Sequence, residues 1–458
     1  MKLSRSEVRC KTRKLPTLQF EDLALTSFSG LVVFQGLFFR LGLKERLGRC
    51  FSHLAGGSIF GYHVIVLSLV VHLLLGYRRL RECESYEDDP MVKRLLGLSR
   101  LPDVSTLSRA LAQADRWSVE KFRVLVWELV VERLRQLQLK RVTLDFDGSV
   151  QSTGRWAEGT AVGFNKKKKG ARSYYPLFCT VAQSGQVLDV LHRPGNVHDS
   201  NGAQAFVLEC IARLREALPG VKVELRMDSA FFSQQMAETL HAHKVEFTVS
   251  VPFERFSELK AMIEGRFRWR RFNDEWSFFE TPWKPKSWHR RYRFVFLRQK
   301  VQQQHKQPIQ LDLFIPQQWG YDFTVIMTNK HTRMKKVLAF HHGRGAQENL
   351  FGELKSQCQM DYVPVRTLAG NQTYLLCAIL AHNLARELQM VADPPQRHTT
   401  EKRTPLWVFQ ELNTLRRHLI QRAGKFSWPQ GRLTLTLGLN DTVKAKLLHY
   451  LGALGYQT

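Results

Sequence analysis

None of the seven cysteines stands at Cys-x-x-Cys spacing, and no cysteine–histidine grouping has the spacing of zinc ligands. Cys10, Cys50, Cys83, Cys179, Cys210, Cys358 and Cys377 therefore read as core thiols of a reduced, cytoplasmic protein. The basic N-terminus, MKLSRSEVRCKTRKLP, lacks the apolar run of a signal peptide. A long hydrophobic run is missing too. The most apolar stretch, 62–77, is short for a membrane span and holds His63 and His72, so it is expected to be a buried helix. No internal repeat is evident. Acids are scarce: 41 Asp plus Glu stand against 68 Lys plus Arg, a net charge of +27. A surplus of that size points to a polyanionic partner, nucleic acid before a membrane surface.

What is present suits a folded chain of roughly two to four domains. Residues 22–135 carry apolar residues at helical spacing almost throughout. Within them, MVKRLLGLSRLPDVSTLSRALAQA reads as a short helix, a turn with Gly97 and Pro102, and a helix from about Asp103. As a helix-turn-helix it would turn Ser105, Thr106, Ser108 and Arg109 to DNA; a plain helical hairpin fits the pattern equally. At 141 the period changes to two: in RVTLDFDGSV, Val142, Leu144 and Phe146 share one face and Thr143, Asp145 and Asp147 the other. Strands follow at 173–182 and 187–193, then a helix at 200–217, a strand at 221–228, a helix at 232–243 and a strand at 245–251. Three antiparallel strands, then helix, strand, helix and strand, is the order of an RNase H-like α/β core. Residues 252–330 read as short strands rich in arginine and aromatics, with Trp269, Trp276, Trp283, Trp288 and Trp319 among them. The expected organisation is an all-helical DNA-binding region at 1–138, a core at 139–251, a β-rich insertion at 252–330, the core resumed at 331–392, and a helical C-terminal region at 393–458.

The stretch HHGRGAQENLFGELK, 341–355, holds two acids in basic surroundings. As one helix with Arg344 at zero and about 100° per residue, Glu348 falls near 40°, Lys355 near 20° and His341 near 60°, but Glu353 near 180°. The first four form a stripe, and Glu353 lies opposite. By itself the stripe is matched by a surface ladder of ion pairs. Asp147 late in the first core strand and Asp228 closing the fourth alter that balance, because ligands of open α/β sheets gather at the carboxyl ends of strands. Two such carboxylates and a third from a packed helix suit a pair of Mg²⁺ ions about 4 Å apart, which serve in-line phosphoryl transfer. Arg344 and Lys355 would then hold phosphates. Asp145 competes with Asp147 on the same strand face; the following Gly148–Ser149 and the strand end favour Asp147.

These residues together resemble the DDE transposases of bacterial insertion sequences that carry a Tyr-x2-Arg-x3-Glu-x6-Lys signature. His341, Arg344, Glu348 and Lys355 stand at that spacing, with His341 in place of the tyrosine. DGS from Asp147, LRMD ending at Asp228, a β insertion before the glutamate, and the segments GFNKKKKGARSYYPLF and RPGNVHDS are similar to the same group over 140–390. The resemblance implies an RNase H-like fold, with Asp147, Asp228 and Glu348 as catalytic metal ligands for Mg²⁺, or Mn²⁺ in vitro. It implies a dimer that synapses two terminal inverted repeats of double-stranded DNA, excises through hairpin ends and joins the element to target DNA in the bacterial cytoplasm.

DNA contact is further expected from Lys166, Lys167, Lys168, Lys169 and Arg172 in the basic loop, from His341, and from Ser108 and Arg109. His198 and Asp199 form a pair in which Asp199 is expected to cap the next helix. An insertion tryptophan, Trp276 or Trp288, is a candidate to stack on an extruded base. Two rival readings stay open: a DNA-binding protein descended from a transposase that has lost turnover, and an RNase H-like nuclease that never joins strands.

Overall fold

The computed structural model describes residue 15 and residues 17–54, 59–163, 165, 168–197, 201–300, 320–398 and 403–457. One mixed sheet of nine strands runs through it. In chain order these are β1 (Arg141–Gly148), β2 (Leu177–Val181), β3 (Gln186–Leu191), β4 (Lys222–Met227), β5 (Glu246–Val251), β6 (Arg270–Arg271), β7 (Trp276–Trp283), β8 (Tyr292–Lys300) and β9 (Tyr321–Thr328). Across the sheet they lie β6-β7-β8-β9-β5-β4-β1-β2-β3. β1 is antiparallel to β2 and parallel to β4, which is parallel to β5. The run β3-β2-β1-β4-β5 is thus the RNase H-like arrangement, and the fold is α/β as the periodicity indicates.

The insertion differs from a separate β domain. β9 pairs antiparallel with β5, and β8, β7 and β6 follow it outward, so 252–330 widens the core sheet. A helix, Ser257–Glu264, also lies within it. The insertion's stretch 301–319, with Trp319, falls outside the described residues.

Strand alternation decides what faces what. Val142, Leu144 and Phe146 of β1 are wholly buried in a core shared with the helix Ala203–Ala217. The opposite face, with Thr143, Asp145 and Asp147, receives a pair of helices, Met334–His342 and Gly345–Gln357. Phe178 of β2 meets Phe351 of the second helix there, ring centroids 5.2 Å apart.

The helical part is one body. The helices Leu31–Arg40, Leu43–Cys50, Tyr62–Leu75, Pro90–Leu96 and Val104–Gln113 share a core with Leu368–Ala392, Asp441–Ala453 and Leu350, Phe351 and Leu354 of the second helix on the sheet. The N-terminal helices therefore buttress the sheet instead of standing apart. Tyr62–Leu75 is buried on almost every side by protein, as expected, and no single helix among the described residues is long and apolar enough to cross a membrane. The strand-like run RLTLTLGL, 432–439, does hold a strand, Thr434–Leu437, which forms a three-stranded sheet with Gly424–Ser427 and Leu25–Thr26 inside the region expected to be helical. Leu433, Leu435 and Leu437 pack inward while Thr434 and Thr436 alternate with them, a period of two that cannot sit on a helix. The six described cysteines are free and buried; Cys10 lies outside the described residues.

Candidate active site

β1 and β4 run parallel in register, with Phe146 opposite Met227. Asp147 follows Phe146 on β1 and Asp228 follows Met227, the last residue of β4, so both acids stand at carboxyl ends of neighbouring strands, which in sheets generally lie about 4.8 Å apart. Their local bonds hold them there. The Gly148 N–H donates to Asp147 Oδ1 at 2.8 Å, and the Ala230 N–H to Asp228 Oδ1 at 3.0 Å. Asp228 therefore also caps the short 3-10 turn Ser229–Phe231.

The motif 341–355 is not one helix. It breaks between His342 and Gly345, where Gly343 and Gly345 flank Arg344 and weaken helix propensity. There the N–H groups of Arg344, Ala346 and Gln347 donate to the carbonyls three residues back, at 3.0, 3.2 and 2.9 Å. This tighter winding changes the helical phase. Beyond the break the expected stripe persists. The Arg344 guanidinium lies 3.4 Å from Asp147 Oδ2 and 3.7 Å from Glu348 Oε1, bridging strand end and helix. The Glu348 side chain is 68% exposed against 20% for Arg344. Lys355 follows half-buried two turns later. Gln347 pins the helix to the sheet, its amide donating to the Asp145 carbonyl at 3.0 Å and to Thr180 Oγ1 at 3.1 Å.

Before the break the phase prediction fails. His341 is buried against β5, with Nδ1 2.9 Å from Thr248 Oγ1 and Nε2 3.0 Å from Ser250 Oγ. The expected DNA contact at His341 is therefore corrected to a core role. Burial lowers its pKa to about 3, helped by the Arg344 charge. His192 is likewise lowered to about 3, and His72 and His382 to about 4, all by burial. The ordinary histidine value being 6.5, the unfolded chain binds more protons than the folded one between these limits, so stability is full above 6.5 and lost as pH falls toward the folded pKa. Each such histidine is expected to remove about 1.4 kcal/mol per pH unit in that window. Denaturant midpoints at pH 7 and pH 5 should show the loss, and His341→Gln should lessen it.

Asp145 drops out as a rival to Asp147. It is buried and held bidentate by Arg226, Nε and Nη2 both at 2.5 Å from its oxygens. Burial pushes its carboxyl up, against the pull of the guanidinium. Arg226 also donates to the Phe340 carbonyl at 3.1 Å. Beside this pair, Glu224 is bound by Lys330 at 2.7 Å and Arg403 at 2.8 Å, which hold its carboxyl below the usual range despite burial. A buried ionic layer thus lies between sheet and helices, and the sequence reading missed it. Its signal was present: Glu224, Arg226 and Asp228 alternate with Val223, Leu225 and Met227. Glu353 is buried as well, paired with Arg386 and accepting the Leu412 N–H at 3.0 Å.

The remaining expectations divide. Lys168 and Lys169 are exposed on their loop; Lys166, Lys167, His198 and Asp199 lie outside the described residues. Arg172 is half-buried and turned back on Thr160, donating to its Oγ1 at 3.1 Å and its carbonyl at 2.5 Å. Arg109 is exposed and Ser108 half-buried, on a helix that follows the previous one after 97–103. That connection exceeds the three to four residues usual in a helix-turn-helix, about twice as long, and favours the plain helical reading. Trp288 is a core residue stacked on Phe232 at 4.9 Å, so it is no stacking platform for a base. Trp276 is partly buried, 5.1 Å from the His342 ring.

The model of the family described as Transposase DDE domain group 1 matches residues 9–455, nearly the whole chain. The chain belongs to that family. Among solved structures, a piggyBac transposase synaptic complex with hairpin DNA is 12% identical over 86% of this chain and 80% of its own, with a TM-score of 0.41. A Mos1 transposase paired-end complex with a transposon end is 13% identical over 37% of this chain and 56% of its own, at 0.17. A search of the curated proteins gave no match. In this member of the family the candidate acids Asp147 and Asp228 stand at strand ends of the mixed sheet, and among the described residues no three His, Cys, Asp or Glu side chains lie close enough together to hold a metal ion.

Proposed function

We propose that this transposase binds the terminal inverted repeats of its element and catalyses Mg²⁺-dependent cleavage and strand transfer, with Asp147, Asp228 and Glu348 as the ligand set. One observation carries the reading: two acids end adjacent parallel strands, and the guanidinium of Arg344 reaches from one of them to the acid of the facing helix. The donors are all carboxylate oxygens, the chemistry that hard divalent cations prefer. Glu348 is the movable member. Its side chain is exposed, and among the described residues its one ion pair is the 3.7 Å contact with Arg344. When bound, two such ions would activate the attacking oxygen and stabilise the leaving one.

The protein's own groups do the rest. The rigid strands fix Asp147 and Asp228, and Gln347 anchors the helix that carries Glu348. Arg344, half-buried between carboxylates, would grip a phosphate oxygen beside them, and Lys355 and the exposed Lys168 and Lys169 the flanking backbone. We assign the chain to the insertion-sequence group with the Arg–Glu–Lys spacing, acting as a dimer on duplex DNA in a bacterial cytoplasm. The test is incubation with matched-end duplex and Mg²⁺, resolving cut, hairpin and joined products. Joined products are expected. Hydrolysis that never yields them would indicate a nuclease, and tight end binding without any turnover an inactive descendant.

A further inference from the structure

The two ends of the chain meet far from these acids in sequence. Leu25–Thr26 pairs with Gly424–Ser427, which forms a hairpin with Thr434–Leu437. One side of the hairpin is apolar, with Phe426 buried and Leu435 and Leu437 packed on the helical core. The other side alternates to Lys425 opposite Thr436 and Ser427 opposite Thr434, a face of hydroxyls and a cation. The tip, 428–432, is closed by the Gly431 N–H on the Trp428 carbonyl at 3.3 Å and the Arg432 N–H on the Pro429 carbonyl at 3.1 Å. Gln430 adopts φ +53, a left-handed conformation unusual for a side chain of its kind. Trp428 stands there 65% exposed, beside exposed Arg432.

The hairpin is braced. Thr26 Oγ1 donates to Asp89 Oδ1 at 2.8 Å, and the Ser27 N–H to Asp89 Oδ2 at 3.0 Å. Asp89 is itself the cap of the helix Pro90–Leu96, so one carboxylate ties the small sheet to the N-terminal helices. Acids lie at the Leu25–Thr26 edge of the small sheet, where Asp22, Glu84, Glu87, Asp88 and Asp89 line one pocket, but the hairpin's own segment is basic. From Leu412 onward there are seven Lys and Arg residues and one acid, Asp441. Lys425 has a close acid, Asp22 at 2.8 Å.

We propose that this hairpin is a DNA-binding wing, in which Trp428 packs on the sugar and base edges of the duplex and Arg432 holds a flanking phosphate. The inference rests on duplex DNA being the partner. Charge complementarity selects that occupant. A second copy of the chain would bring the same cationic surface against itself, whereas a phosphate backbone meets both the cations and the hydroxyls. An exposed indole beside a cation offers apolar surface to sugars and base edges and charge to the phosphates.

The test uses the full chain and a fluorescent matched-end duplex, titrated without metal at several salt concentrations. Trp428→Ala is expected to weaken binding about tenfold. Arg432→Ala should lower the slope of log affinity against log salt by about one. Both should leave the thermal midpoint in place, the side chains being exposed. Wild-type affinity and slope in both variants would overturn the wing while leaving the wild type's own DNA binding, and the function above, standing. A wild-type protein that does not bind the duplex overturns both. Loss of self-association at unchanged DNA affinity also overturns the wing, by making the patch a protein interface.

Discussion

Glu348→Ala protein is expected to bind matched-end DNA nearly as wild type does and to leave it uncut. The exposed glutamate makes one long contact, with Arg344 at 3.7 Å, so its loss should leave the fold intact. What disappears is an oxygen donor placed opposite the strand-end acids. If it is the third ligand, strand cleavage should fall by roughly three decades, about 4 kcal/mol of transition-state stabilisation. Asp228→Ala should do the same to chemistry, with a small added loss from the Ala230 cap at 3.0 Å. Gel-resolved cleavage of an end-labelled duplex, beside anisotropy binding and a thermal melt on the same protein, separates the effects. Normal cleavage by Glu348→Ala would sink the ligand assignment, whatever the melt shows.

Much of this architecture is legible in sequence because strand alternation is a local signal. β1, β4 and β5 stand where Val142-x-Leu144-x-Phe146 and its counterparts place them, and the strand ends carry Asp147 and Asp228 with them. The insertion was legible as β structure, but not its union with the core sheet, since pairing of Val325 with Val251 links residues distant in sequence. The site was half legible for the same reason. A helical wheel separates Glu348 from Glu353, yet cannot know that two glycines break the winding at Gly343–Gly345 and turn His341 into the core. Nor can it name the partners of buried charge. Asp145 finds Arg226 across adjacent strands, 81 residues apart, and only that pairing removes it from contention.

Glu353 supplies the opposite result to Glu348, from five residues away. Its carboxylate is buried, bound to the Arg386 guanidinium and accepting the Leu412 N–H at 3.0 Å. Three elements converge on it: its own helix, the long helix Leu368–Ala392, and the turn at Leu412–Leu415. Glu353→Ala leaves Arg386 buried without its counter-charge. Burial alone already disfavours that cation and lowers its pKa, with the Glu353 charge opposing the shift. Breaking such a pair from one side destabilises by about 3–5 kcal/mol, because the remaining charge stays desolvated. A pocket of about 300 Å³, partly open to solvent, is lined by Glu353 and Arg386 and lets water offset part of that cost. Chemical denaturation of Glu353→Ala should therefore show a clearly lowered midpoint, while protein that remains folded still cuts DNA. Glu353→Gln, which keeps an acceptor for the Leu412 N–H, should recover part of the loss. A midpoint unchanged in Glu353→Ala would mean that the buried pair adds nothing to stability, and that the two acids of this helix differ in exposure alone.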